Sequence, residues 1–186
     1  PASLPIEPNI SLTPTVGEGF LGHPGLEVHR SATEWSLAPT LVQTDASKLN
    51  LKLIGRCTVL NVEIIHQLTL DPDQSLLRLS VNIGNLSDQS TLFVDNCAVT
   101  FPLADHLTEL EEVTGRWGYE FQTQRHAITQ SAYVRENWTG RSSHHMNPTL
   151  TLCEKMTSAT HGDALAVHLA WSGNHQMRVE SLADGR

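Results

Sequence analysis

The chain has 186 residues, and its 20 acidic residues outnumber its 12 lysines and arginines, which leaves a formal net charge of −8 at pH 7. Phosphate binding depends on clustered lysines and arginines, so this balance argues against nucleic acid and against an anionic membrane surface as partners. Hydrophobic residues make up 39% and charged residues 17%, a composition that excludes a disordered chain and favours one large domain.

The two ends of the chain predict that it is part of a longer protein. The first segment, Pro1–Val16, contains four prolines and indicates a connector before a domain that spans residues 17–186. The sequence lacks an initiator methionine, a leader sequence and an apolar run of membrane-span length. At the other end, Asp184-Gly185 is a strong hairpin-turn signal, yet only Arg186 follows it. We therefore expect a fragment of a larger multidomain protein.

The cysteines bear on the compartment. Cys57, Cys97 and Cys153 are odd in number, widely spaced and without a CxxC pair. A small secreted domain that depends on disulfides usually carries an even set of cysteines. We therefore expect reduced thiols and a cytoplasmic location.

In chain order, apolar residues alternate with polar ones in short runs that predict β-strands. The runs cover residues 49–53, 59–65, 77–83, 92–102, 119–125, 132–136, 149–153 and 165–171. A turn at Asp71–Gln74 separates two of them, and the others are bounded by similar polar clusters. His106–Val113 is equally compatible with a helix and with a strand, because Leu107 and Leu110 lie three residues apart. The pattern predicts an all-β, antiparallel sandwich.

Acid–base hydrolysis needs two carboxylates in the same active site, so the acidic residues indicate whether this chain could itself be catalytic. Glu111 and Glu112 are adjacent, so on a strand they would point to opposite faces. Glu120 and Glu136 lie on separate predicted strands and have arginines close in sequence, namely Arg116 and Arg125 for the first and Arg135 and Arg141 for the second. This pattern favours ion pairs that brace the sheets over a catalytic pair.

Ten histidines raise the question of a metal site, but their spacing argues against one. His144 and His145 are neighbours whose rings should diverge on an extended chain. His161, His168 and His175 recur every seven residues, which is not a strand period. A zinc site needs three or four ligands in a defined geometry. We therefore expect neither a metal nor another cofactor.

Trp117 is the aromatic residue that its surroundings single out. It lies within Thr114–Glu120 between Gly115 and Gly118, which favours a turn over the centre of a strand. An aromatic ring on such a loop, beside Arg116, can stack on the apolar face of a sugar while polar neighbours bind its hydroxyl groups. The spacing alone leaves core packing an equal alternative.

Three segments of the chain resemble the α-galactosidases of glycoside hydrolase family 36. The first comprises Thr114–Glu120, then Arg125, Arg135-Glu136, Gly140–His144 and Asn147-Pro148. The second is His168–His175, an apolar-(Tyr/Trp)-Ser-Gly-Asn segment that ends near Glu180, and the third is Gly22–Arg30. The segments occur in the order found in the family and at plausible spacing, so the resemblance spans about residues 20–186.

The resemblance implies a non-catalytic, antiparallel β-supersandwich that precedes a catalytic (β/α)₈ barrel. The nucleophile and acid/base aspartates of the family lie on that barrel, and their motifs do not occur here, so we expect no catalytic residue in this chain. The parent would be a retaining α-galactosidase that hydrolyses terminal α-galactosides such as melibiose or raffinose, with two carboxylates about 5 Å apart. The first strands of the family domain, which carry a substrate-contacting acidic residue, have no counterpart before Pro1.

The resemblance also implies roles for individual residues. Trp117 would line the substrate pocket, often that of a neighbouring subunit, while Arg116 and Glu120 would brace its loop. The parent would accordingly be a homo-oligomer. An alternative hypothesis is a free-standing carbohydrate-binding or adhesion sandwich that has no enzymatic partner domain.

Overall fold

The computed structural model describes residues 11–16, 18, 20–129 and 131–182. The chain forms two compact units, Pro1–Phe101 and Pro102–Arg186. Over the described ranges the regular secondary structure consists of β-strands, without a helix. Every pairing between these strands is antiparallel, which confirms the predicted all-β, antiparallel fold. Most of the predicted connector, and the predicted turn at Asp184-Gly185, lie outside the described residues.

The first unit contains two sheets. Its strands are β1 (Leu26–His29), β2 (Thr40–Ala46), β3 (Asn50–Cys57), β4 (Val62–Asp71), β5 (Leu76–Asn85) and β6 (Phe93–Cys97). Strands β2 to β5 pair consecutively in a four-stranded meander, and β1 pairs with β6. The predicted turn at Asp71–Gln74 joins β4 to β5, where the Asp71 carboxylate accepts the backbone N–H of Gln74 at 3.3 Å.

The core of the first unit follows from the alternation along β4. Val62 and Ile64 lie two residues apart, so they share one face of the meander, and both are fully buried against Leu26 and Val28 of β1. Burial of each such side chain contributes about 1.5–3 kcal/mol. This packing holds the two-stranded sheet on one end of the four-stranded sheet.

The second unit also contains a four-stranded and a two-stranded sheet. Its strands are β7 (Glu109–Arg116), β8 (Tyr119–Ala127), β9 (Ala132–Asn137), β10 (Thr149–Cys153), β11 (Ala164–His168) and β12 (His175–Glu180). The larger sheet has the order β11-β10-β7-β8, and β9 pairs with β12. Leu110 and Leu152, directly opposite each other on β7 and β10, pack with Met177 and Val179 of β12 in one core.

The ambiguous segment at His106–Val113 is a strand over most of its length. Glu109 begins β7, which pairs with β10 on one side and β8 on the other, so both edges of its backbone are hydrogen-bonded. The helix alternative is therefore wrong. Leu107, which suggested the helical spacing, precedes the strand and is buried beside Leu110. Three strands lay outside the predicted runs, namely β1, β2 and β12.

Candidate functional site

Trp117 lies in a two-residue turn that connects β7 to β8. Arg116 and Tyr119 pair directly across the hairpin, so Trp117 and Gly118 form its tip. Gly118 has φ +75°, a left-handed conformation that glycine adopts without steric cost. Trp117 is 86% exposed, which rules out core packing within the described residues and confirms the predicted turn.

Glu120 and Gly115, on the strands next to the turn, stabilise its conformation. The Glu120 carboxylate accepts the backbone N–H of Gly118 at 2.7 Å. Gly115 sits at a break in the pairing register, with φ +155°, and a Cβ there would lie 2.7 Å from the Cα of Glu120. A glycine is therefore required for β7 to approach β8 so closely. The Arg116 guanidinium instead lies over Tyr119, 6.0 Å from its ring centre.

The predicted ion-pair partners of Glu120 are wrong. Arg125 pairs with Glu111, at 2.9 Å between Nη2 and Oε2, and more distantly with Glu109, at 3.5 Å. The register explains this outcome, because Glu111 lies directly opposite Arg125 on the neighbouring strand, and β8 places Glu120 at the far end. Glu120 contacts the turn instead of an arginine.

The predicted partners of Glu136 are also wrong. Its carboxylate accepts the indole N–H of Trp138 at 3.1 Å and the amide of Gln176 at 2.6 Å. These donors, with Trp138 the larger influence, hold the pKa of Glu136 below its ordinary value. Arg135 points to the opposite face of β9, where it is 7% exposed.

Arg135 joins the two sheets of the second unit through a buried ion pair. Its Nη1 lies 3.0 Å from Oε2 of Glu112 on β7, and both side chains are almost completely buried. Its Nη2 donates to the backbone carbonyls of Val113 and His145. The prediction that Glu111 and Glu112 point to opposite faces is therefore confirmed. Arg135 ties the end of β7 that leads to Trp117 to the loop that carries His145.

Two other groups complete the polar cluster around Glu112. His126 Nε2 lies 3.2 Å from Oε1 of this carboxylate. Burial, together with the negative charge of Glu112, raises the pKa of Tyr133 well above its ordinary value. The cluster is structural, because its charged groups face one another between the two sheets.

Two of the family-like segments meet in the structure. The backbone N–H of Ser142 donates to the carbonyl of Ser172 at 2.7 Å, and that of Gly140 donates to the side-chain oxygen of Asn174 at 2.7 Å. Asn137, which is 1% exposed, donates from its side chain to the carbonyl of Arg141. The loop after β9 and the loop before β12 therefore form one joined surface.

The third family-like segment ends in a buried clamp in the first unit. Arg30 is 5% exposed and donates to the carbonyls of Leu60 and Ser90 and to the side chain of Asn85. These contacts tie the end of β1 to the end of β5 and to the loops around it. The role of Arg30 is to hold backbone segments together.

The histidines are arranged differently from the prediction in one respect. The rings of His144 and His145 do not diverge, because their centres lie 4.5 Å apart at an angle of 46°. His168 contacts Thr149, and His175 contacts the carbonyl of Gly173. Across the described ranges, no three or more of the histidine, cysteine, aspartate and glutamate side chains come together as metal ligands would. All three cysteines are free thiols, as predicted.

Two exposed tryptophans were missed by the sequence reasoning. Trp138 is 71% exposed and Trp171 is 61% exposed, on the two loops that the family-like segments form. Each lies two residues before a glycine, Gly140 or Gly173, and a nearby glycine is the feature that indicated an exposed turn at Trp117. The part of the chain that the structure describes contains no helix long and apolar enough to cross a membrane.

Comparisons with known proteins identify the family. The family model described as "Glycosyl hydrolase family 36 N-terminal domain" matches residues 3–186. An α-galactosidase of Escherichia coli is 33% identical over 183 residues, which are 98% of this chain and 26% of that protein. Alpha-galactosidase 1 of Pediococcus pentosaceus is 28% identical over 138 residues, which are 74% of this chain and 19% of that protein.

The fold has the same relatives. The α-galactosidase AgaA of Geobacillus stearothermophilus, solved in complex with raffinose, superposes with a TM-score of 0.83 at 18% identity, over 93% of this chain and 27% of that one. The chain thus spans about a quarter of the length of the α-galactosidases it matches in sequence and structure. With its two sandwich-like units and its exposed tryptophan hairpin, the chain belongs to the N-terminal domain family of glycoside hydrolase family 36.

Proposed function

We propose that this chain is the non-catalytic domain of a retaining α-galactosidase that hydrolyses terminal α-galactosides of the melibiose or raffinose type. The family match over residues 3–186 carries the proposal. The relatives are α-galactosidases about four times as long, and one of them was solved with raffinose bound. The nucleophile and the acid/base residue belong to a catalytic barrel outside this chain, so the chain alone is inactive.

Within that enzyme, Trp117 shapes the substrate pocket. The support is geometric, because a ring 86% exposed at the tip of a tight hairpin is available to a sugar or to a second subunit. Glu120 fixes the turn backbone through Gly118, and Arg116 lies along the same hairpin. The pocket that Trp117 reaches is that of a neighbouring subunit, so the enzyme is a homo-oligomer. Its reduced cysteines fit a cytoplasmic enzyme.

The test is a substitution in the full-length enzyme. Trp117→Ala should raise KM for melibiose strongly while the protein stays folded, because the hairpin needs its glycines and Glu120 more than the indole. Trp35→Ala is the matched control, since Trp35 is an exposed tryptophan of the first unit, and it should leave KM unchanged. An unchanged KM for Trp117→Ala would remove Trp117 from the substrate pocket.

A free-standing carbohydrate-binding or adhesion sandwich is the second candidate. Exposed tryptophans on polar loops favour it, because such rings stack on sugars without any catalytic partner. The coding sequence after Arg186 distinguishes the two functions. A long catalytic domain with two aspartates must follow if the first is right, and an early stop codon would support the second.

A further inference from the structure

Trp138 and Trp171 occupy a surface that the proposed role of Trp117 does not use. We define the tryptophan platform as residues 136–142 and 171–176, the two loops that the hydrogen bonds of Gly140 and Ser142 join. Both indoles are mostly exposed, at 71% and 61%. Exposed tryptophans are uncommon on a soluble domain and mark binding surfaces when they occur together.

The indole of Trp138 is fixed while its faces stay open. Its N–H donates to Oε2 of Glu136 at 3.1 Å, and the other oxygen of that carboxylate accepts the amide of Gln176 at 2.6 Å. Glu136 and Gln176 lie opposite each other on β9 and β12, so the sheet itself positions both anchoring groups. A ligand would therefore meet an aromatic ring that loses little freedom on binding.

The indole of Trp171 is fixed in a similar way. Its N–H donates to the carbonyl of Asn174 at 3.0 Å. The ring lies against Gly173 so closely that a Cβ at this glycine would stand 2.8 Å from the indole nitrogen. Gly173 is therefore required for this ring position. With both N–H groups used inside the protein, each indole offers a ligand its carbon surface.

The polar groups around the two rings supply hydrogen-bond donors. Arg141 is exposed, and among the described residues its guanidinium has no hydrogen-bond or ion-pair partner. The side-chain oxygen of Asn174 is used by Gly140, which leaves its amide nitrogen for a ligand. The centre of a protein interface is depleted in charged residues, whereas here charged and amide groups alternate with the aromatic rings. That mixture matches a sugar, whose ring has an apolar C–H face and hydroxyls at its edge.

We propose that the tryptophan platform binds a neutral oligosaccharide. Pyranose rings stack on Trp138 and Trp171, and Arg141 donates to their hydroxyl groups. The site is separate from Trp117 and does not depend on the activity of the parent enzyme. With two aromatic contacts and a few hydrogen bonds, a dissociation constant on the order of 1 mM is expected.

The experiment follows the indole N–H signals of the 186-residue chain by ¹⁵N NMR during titration with raffinose. The signals of Trp138 and Trp171 should shift with one common dissociation constant, while that of Trp35, in the other unit, stays in place. Sorbitol at equal concentration is the control for hydroxyl groups without a pyranose face, and it should shift none of them.

Two variants test the geometry. Gly173→Ala keeps every aromatic residue but displaces the Trp171 ring, and Trp138→Ala removes the other ring. Each should weaken raffinose binding at least tenfold, while Trp35→Ala binds as the unaltered chain does. The remaining NMR signals show whether each variant is folded.

Four results would overturn the proposal. They are unshifted Trp138 and Trp171 signals at about ten times the expected dissociation constant, equal shifts with sorbitol, a response confined to Trp117, and unchanged affinity in both folded variants. If the variants changed only the oligomeric state measured by light scattering, the platform would be a protein contact instead. If the full-length protein showed no α-galactosidase activity, the proposed function would be contradicted, but the proposed sugar site would be unaffected.

Discussion

The buried ion pair between Glu112 and Arg135 gives the sharpest prediction about stability. The two side chains are 8% and 7% exposed, and 3.0 Å separates Oε2 from Nη1. That nitrogen makes no well-aligned hydrogen bond, so the contact is mainly a charge interaction between the two sheets. Glu112→Gln keeps the size of the side chain and removes its charge, which leaves the guanidinium buried without a counter-charge.

The expected cost is large because a buried charge that loses its partner is destabilising by about 3–5 kcal/mol. This is a substantial part of the roughly 5–15 kcal/mol that stabilises a typical domain. The adjacent Glu111→Gln is a matched control, because Glu111 and its partner Arg125 are each 33% exposed. Loss of such a partly exposed pair costs much less, because solvent screens the interaction.

Urea unfolding of the chain, followed by circular dichroism, measures both free energies of unfolding. Glu112→Gln should lower the midpoint much more than Glu111→Gln does. The double variant Glu112→Leu with Arg135→Met should recover part of the loss, because it removes the stranded charge. Recovery stays incomplete, since the carbonyls of Val113 and His145 lose their donor. Equal effects of the two single variants would refute the view that Glu112 is buried between the sheets.

Three further predictions follow from local geometry. Gly115→Ala should lower the melting temperature more than Gly118→Ala, because its Cβ would meet backbone at 2.7 Å, whereas the position at φ +75° has open space and costs about 1 kcal/mol. The pKa of Glu136 is lower in the folded chain than the unfolded value of 4.5, so its contribution to stability is present above pH 4.5 and is lost as the pH falls through the folded pKa. The indole N–H signal of Trp138, which reports on this carboxylate, should therefore move only below pH 4.5. Maleimide should label Cys97 first, since the other two thiols are buried; simultaneous labelling of all three would contradict that burial.

The alternation of apolar residues predicted most strands of the meander, but two kinds of strand escaped it. Strand β2 is exposed along its whole length, so no buried face imposes a pattern on its residues. Strand β12 does alternate, with Met177 and Val179 buried, so its residues show the pattern typical of a half-buried strand. The choice between helix and strand at Leu107 and Leu110 could be settled only by the neighbouring strands, because one pair of leucines three residues apart is too short a pattern to exclude either structure.

In the candidate site, too, local features were predictable from the sequence and tertiary contacts were not. The glycines beside Trp117 predicted its turn, because a tight hairpin needs left-handed backbone at that point. The partner of Glu120 was not predictable because it depends on the register and the break at Gly115 between β7 and β8. The partner of Glu136 across the sheet, Gln176, depends on the register between β9 and β12. Trp138 and Trp171 are 33 positions apart in the sequence, and only the folded loops join them.

The central proposal is that this chain is the non-catalytic domain of an α-galactosidase. The most direct measurement is the hydrolysis of p-nitrophenyl α-galactoside by the purified 186-residue chain and by the full-length protein that contains it. The chain alone should show no turnover above background, and the full-length protein should release nitrophenol from this substrate. Turnover by the chain alone, or none by the full-length protein, would contradict the claim.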